Sequence, residues 1–268
     1  MWVYLLFYAL LGSGVGVMAG LFGVGGGLIM VPVLTALFLA QGVAVDTVLY
    51  LALATSMAAI VPTSLASLMA HHRRGGVQWP VVRWLTPGIV LGTLSATFLA
   101  ALIPTQFLAI VFAVFVLFAA LQLTVNVVPQ NPRALPSSAS LMGVGGIIGS
   151  ISALVSIGGG ALTVPFLLWH QVPIKQAIAS SAAVGFPIAV AGALGYLING
   201  FLQPVAFFAT WGWIHWPAVL MVALTSPLFA PVGVALMHRL PVPILKRLFA
   251  LLMIVMAVRM LWRLWQGG

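Results

Sequence analysis

Gly20-Leu21-Phe22-Gly23-Val24-Gly25-Gly26-Gly27, running on into Leu28-Ile29-Met30-Val31-Pro32, is the stretch on which the reading of this chain turns. Three consecutive glycines are poor helix interior, since each costs about 1 kcal/mol against alanine. In hydrocarbon, unwound backbone survives only where protein or a polar cavity surrounds it. The stretch therefore predicts a broken membrane helix. It occurs twice, because Gly158-Gly159-Gly160 lies 133 residues on and is again followed by Val164-Pro165. At that offset Gly12, Gly16, Leu21, Val31 and Leu34 also meet identical residues at Gly145, Gly149, Leu154, Val164 and Leu167. A duplicated helix break is the sequence pointer to a transporter's binding site.

The rest of the chain fits a bilayer. Of 268 residues, 63% are hydrophobic and 4% charged, against about 25% charged in a soluble domain. The net charge of +9 reflects the near absence of acids, Asp46 being the only one. The ten Lys and Arg are scattered between apolar runs, so no nucleic-acid partner is expected. With no cysteine, thiolate metal sites, disulfides and Cys nucleophiles are excluded. No paired carboxylate supports acid–base catalysis, and the glycine run lacks the Lys-Ser/Thr of a P-loop. No catalytic residue, metal or cofactor is implied. His170, His215 and His238 sit near segment ends, as interfacial residues, without metal-ligand spacing.

Apolar runs of membrane length follow one another. They cover about Trp2–Phe22, a short run to Leu39, then Val48–Ala70, Val81–Leu102 and Gln106–Val128. Pro129–Ser138 is polar and proline-rich, and reads as a cytoplasmic linker between repeats at 1–128 and 139–268. The second half gives Ala139–Val155, a short run to His170, Ile174–Leu197, Pro217–Met237 and Ile244–Leu264. The first run reads as a retained span, since it lacks a basic n-region. Ala52-Leu53-Ala54-Thr55-Ser56 with Pro62 matches Ala177-Ile178-Ala179-Ser180-Ser181 with Pro187 at an offset of 125, which implies a connecting loop eight residues shorter in the second copy. The positive-inside rule puts Arg73, Arg74, Arg133, Lys175, Arg239, Lys246 and Arg247 on the cytoplasmic side and Asp46 outside, provided the short segments count as crossings. Arg259 and Arg263 count mildly against this. The expected fold is an all-α polytopic membrane protein of two inverted five-segment repeats, each with a Gly-broken helix near the membrane midplane.

The candidate substrate-binding residues are Gly25, Gly26, Gly27, Thr55, Ser56, Gly158, Gly159, Gly160, Ser180, Ser181 and Lys175. Each break starts a helix whose first N–H groups and positive dipole end favour anions. The competing reading is close packing of small residues, which suits the isolated Gly12 and Gly16. The hydroxyls either donate to an oxyanion or bond a carbonyl of their own helix. Lys175 either sets orientation or contacts substrate.

Three motifs together resemble the TauE/SafE family of sulfite and organosulfonate exporters. They are the glycine run through Pro32, Ala54-Thr55-Ser56, and Ala70-His71-His72-Arg73-Arg74-Gly75-Gly76-Val77-Gln78-Trp79. The second-half echoes from Gly158 to Pro165 and from Lys175 to Ser181 fit the same pattern, though Ala179-Ser180-Ser181 stands where Gly-Thr-Ser is expected. The resemblance implies a bacterial inner-membrane transporter of small sulfur-containing anions, such as sulfite, sulfoacetate or related sulfonates. Its partners would be a small anion, the lipid bilayer and, as a candidate, a second copy of the chain.

Overall fold

The structure is a computed structural model that describes residues 2–22, 26–124, 135–205, 207–239, 250–251, 254–255, 257–262 and 265. Gly25, Arg133, Lys246, Arg247, Arg263 and most of the expected linker lie outside the described residues. The chain begins with helices α1 (Trp2–Phe22), α2 (Gly27–Ala40), α3 (Val45–Arg73), α4 (Trp79–Ala100) and α5 (Thr105–Thr124). It continues with α6 (Ser138–Val155), α7 (Gly160–Trp169) and α8 (Ile174–Leu202). A two-residue-per-strand hairpin follows, β1 (Thr210–Trp211) and β2 (Ile214–His215), and then α9 (Trp216–Arg239). The described residues between 250 and 265 are helical. Among the described residues, six helices, α1, α3, α4, α5, α6 and α8, are long and apolar enough to cross a membrane, and α2, α7 and the start of α9 are shorter apolar helices.

Glycine seams fix which helices meet. Gly12 and Gly16 of α1 face α9, where an added Cβ would lie 2.1 Å from Thr225 Oγ1 and 2.2 Å from the Ser226 carbonyl oxygen. Gly145 and Gly149 of α6 face α4 in the same way, 2.3 Å from Leu85 O and 2.4 Å from Ile89 O. Backbones this close exclude any side chain, which is how small-xxx-small seams work where lipid offers no hydrophobic drive. The packing reading of Gly12 and Gly16 therefore holds. The first helix of each half lies on the fourth helix of the other.

The two seams correspond residue for residue. Leu85 and Ile89 precede Val222 and Ser226 by 137 positions, as Trp79-Pro80 precedes Trp216-Pro217. That third internal match was invisible to the sequence reading, because the hairpin lengthens the connection before α9.

Helix directions follow from the same contacts. Along α3 and α8, Met57 touches Gly192 while Gly76, just past α3, touches Ala179, so these two helices run antiparallel. Gln78 with Ser180 and Thr97 with Gly195 make α4 and α8 parallel. Thr55 with His215 and Thr63 with Ser226 make α3 and α9 parallel.

One expectation is corrected. The α2–α3 and α7–α8 connections are equal in length, residues 41–44 and 170–173. The eight missing residues come instead from the helices. α7 has 10 residues against 14 in α2, and Ser180 lies four residues nearer its helix start than Thr55 does. Four residues are close to one turn of 3.6, so shortening both legs by a turn keeps their faces in register.

Candidate functional site

Gly26 and Gly159 are the N-caps of α2 and α7, with φ 70° and 79°. These are left-handed conformations that glycine reaches without steric cost. Gly26, Gly27, Gly158, Gly159 and Gly160 are all buried. The short helices thus begin inside the protein; the N–H groups of Ile29 and Leu162 bond the Gly26 and Gly159 carbonyls, and those of the two residues before each have no intrahelical acceptor. The two breaks meet. A Cβ on Gly27 would lie 1.8 Å from the carbonyl oxygen of Ser156, which ends α6 in a left-handed conformation of its own, φ 51°. Ser156 Oγ donates to Leu53 O of α3 at 3.2 Å, tying the second break to the hydroxyl-bearing helix of the first half.

The structure divides each hydroxyl pair. Several hydroxyls bond back to their own helix: Ser13 to Ala9 O, Thr35 to Val31 O, Thr86 to Val82 O and Thr225 to Met221 O. Thr55 and Ser180 instead accept across the halves. The His215 N–H donates to Thr55 Oγ1 at 3.0 Å, and the Gln78 N–H donates to Ser180 Oγ at 2.9 Å. The second member of each pair, Ser56 and Ser181, is buried with an Oγ that meets no hydrogen-bond partner among the described residues. Ser152 and Thr163, beside the second break in sequence, carry unpartnered buried hydroxyls as well. A buried hydroxyl left without a partner costs about 1–3 kcal/mol, so hydroxyls left open at duplicated positions call for a ligand or a water.

A cavity of about 20 Å³ lies where α3 and α8 cross, lined by Ile60, Thr63, Ser64, Ser67, Gly158 and Gly185, with Ala19 and Ala182. It has room for about one water. Thr63, Ser64 and Ser67 were missed from sequence. Ser56, Ile60, Thr63 and Ser67 recur at four, three and four residues, a single helix face, and that spacing was the available signal. Lys175 is exposed in the first turn of α8 and does not line the cavity. A cation at a helix N-terminus is unfavourable with respect to the dipole, so its place is not explained by its own helix.

His215 is fully buried, contrary to its expected interfacial place. Its ring lies 5.1–5.7 Å from those of Tyr8, Phe38, Phe207 and Phe208. Burial pushes its pKa down to about 4, so it is neutral at physiological pH. Its counterpart before the other Trp-Pro, Gln78, donates to Gln176 Oε1 at 2.7 Å.

The chain is similar to several proteins described as membrane transporters. A probable membrane transporter protein of Haemophilus influenzae is 35% identical over 97% of this chain and 99% of its own length. Another, of Methanocaldococcus jannaschii, is 26% identical over 92% and 91%. A third, YdhB of Bacillus subtilis, is 24% identical over 71% of this chain and 78% of its own. No solved structure matches. The profile of the family described as sulfite exporter TauE/SafE spans residues 8–260, and the chain belongs to that family of membrane transporters.

Proposed function

We propose that the protein exports small sulfur-containing anions, sulfite or organosulfonates, across a bacterial inner membrane by alternating access. The observation that carries the reading is the pair of buried glycine-capped helix starts, at Gly27 and Gly160, in a core that also holds the unpartnered hydroxyls of Ser56 and Ser181. An oxyanion accepts from N–H and O–H donors together, and a helix N-terminus adds a positive potential without a buried cation.

The two halves, 1–128 and 139–268, form inverted repeats joined by the linker at 129–138. Antiparallel α3 and α8 and parallel α4 and α8 support this arrangement. If the short helices turned back without crossing, α3 and α8 would run parallel.

Alternating access is favoured over an open channel because the cavity of about 20 Å³ holds about one water, so an oxyanion enters only after a rearrangement. The driving force follows from charge. An inside-negative potential is worth about 2.3 kcal/mol per unit charge per 100 mV, so anion export is downhill without a coupling ion. The chain's only carboxylate, Asp46, stands in the first turn of α3, at a helix end, where it offers no mid-membrane proton relay.

The test is efflux from proteoliposomes loaded with sulfite or sulfoacetate, with acetate and sulfate as controls. Saturable sulfonate efflux that rises with a more negative interior supports the reading. Efflux that follows the pH gradient and ignores potential rejects uniport, and absence of any sulfur-anion flux from folded protein rejects the substrate class.

A further inference from the structure

We infer that the two cross-half hydrogen bonds, His215 N–H to Thr55 Oγ1 and Gln78 N–H to Ser180 Oγ, are latches that close opposite ends of the substrate path and open in turn. The inference rests on the two-sided transport reading above, but its test requires no knowledge of the substrate.

The bonds are counterparts. Thr55 and Ser180 are 125 residues apart, and Gln78 and His215 each immediately precede the Trp-Pro that opens a fourth helix. An N–H at a helix start lacks an intrahelical partner, so each hydroxyl fills a need on the opposing half. In doing so it fixes where α4 meets α8 and where α9 meets α3.

Their positions are opposed. α3 and α8 cross antiparallel, with Pro62 of one and Pro187 of the other at corresponding places in the crossing. Thr55 is seven residues before Pro62, and Ser180 seven before Pro187. At 1.5 Å per residue the latches stand roughly 20 Å apart along the crossing. The Ser180 latch lies toward the end bearing Arg73, Arg74 and Lys175, and the Thr55 latch toward the end bearing Asp46 and the β1–β2 hairpin.

Each latch also has a hinge. Proline removes a helix hydrogen bond to the residue four back. Pro62 and Pro187 therefore weaken α3 and α8 about two turns from the latch hydroxyl, where a bend swings it away from its partner. In the present structure both bonds are made, and the cavity between them holds about one water. In this arrangement both latches are closed.

The chain has no cysteine, so Ser64→Cys, which lines the cavity, is a single accessibility probe in the full-length protein. It is labelled with a membrane-impermeant maleimide in right-side-out and in inverted vesicles. Ser180→Ala should raise labelling from the face bearing Arg73 and Arg74 about fivefold, the population shift from losing one ordinary hydrogen bond. Thr55→Val should raise it by a similar factor from the opposite face. Ser180→Thr and Thr55→Ser, which keep an acceptor hydroxyl, should return labelling toward the parent rate.

Increases from the same face for both variants, or from neither, in protein that elutes and melts like the parent, overturn the proposal. Should a variant not fold, amide hydrogen exchange of the parent decides instead. The latch model requires Gln78 and His215 to exchange faster than the α4–α6 seam, and equal protection overturns it. Labelling reads the doors whatever the cargo, so failed sulfite efflux and failed side-specific labelling are separate results.

Discussion

Replacing Ser56 and Ser181 with alanine separates a ligand-binding role from a packing role, because the structure gives the two roles opposite signs. Both Oγ atoms are buried without a partner among the described residues. Removing such a hydroxyl removes a desolvation cost of about 1–3 kcal/mol, so each variant should be as stable as the parent or more so. If the hydroxyl donates to a bound anion, the same change loses a charge-assisted bond of about 1.5–3 kcal/mol. At 1.4 kcal/mol per decade that weakens anion binding about 10- to 150-fold.

The assay pairs thermal melting in detergent with the concentration dependence of sulfite efflux from proteoliposomes. The expected result is an unchanged or higher Tm with half-saturation moved up at least tenfold. A lower Tm with unchanged half-saturation would refute the reasoning, since it would mean that the hydroxyls hold the helices together. Glycine-to-alanine changes at the breaks cannot make this separation. An alanine at Gly26 must adopt φ 70° and would place its Cβ 2.4 Å from Val15 Cγ1, so loss of transport there would follow from misfolding under either role.

Three further outcomes follow from the geometry. Gly27→Ala, whose Cβ would lie 1.8 Å from a backbone oxygen, should lose about 3 kcal/mol or more by overpacking; folded yield and melting on a size-exclusion column check this. Gly145→Ala should destabilise the α4–α6 seam, where its Cβ meets Leu85 O at 2.3 Å, whereas Gly143→Ala, with nothing within 4 Å, should gain up to about 1 kcal/mol; equal melting of the two would be contrary evidence.

His215, with a pKa near 4 when folded against about 6.5 unfolded, stays neutral in the native protein while the unfolded chain takes up a proton. It should therefore leave stability unchanged above pH 6.5 and remove up to about 3 kcal/mol as pH falls from 6.5 to 4. His215→Gln, read by melting across that range, should flatten the acid slope; an unchanged slope rejects the assignment.

Much of the architecture was legible in the sequence because membrane constraints are severe. A glycine triplet in an apolar run has few folded meanings, and a short helix starts at each expected break, capped by Gly26 and Gly159 in left-handed conformations. The segment boundaries came within a few residues, although α8 continues to Leu202 through Asn199-Gly200. Buried in protein, glycine and asparagine there need not end a helix. Asn199 Nδ2 simply donates to Gly195 O one turn back.

The division of the hydroxyl pairs was not legible. Whether Thr55 or Ser56 is free depends on where His215 arrives, 160 residues away in sequence. The shared face of Ser56, Thr63 and Ser67 was available from spacing alone, but the glycines drew the reading away from it. Ser156 was hidden for another reason. Its left-handed φ is unusual for a residue other than glycine, and the bond to Leu53 that helps hold it there is tertiary.

The exchange of helices at the glycine seams has a consequence for biogenesis. α6 finds α4 soon after it leaves the ribosome, but the partner of α1 is α9, about 190 residues later. At about 5–20 residues per second the Gly12–Gly16 face waits some 10–40 s against lipid before its own backbone match arrives. The amino-terminal half is therefore an assembly intermediate for most of synthesis, exposed to mispairing or to quality-control proteases during that interval. The protein closes only when its last fifth is inserted.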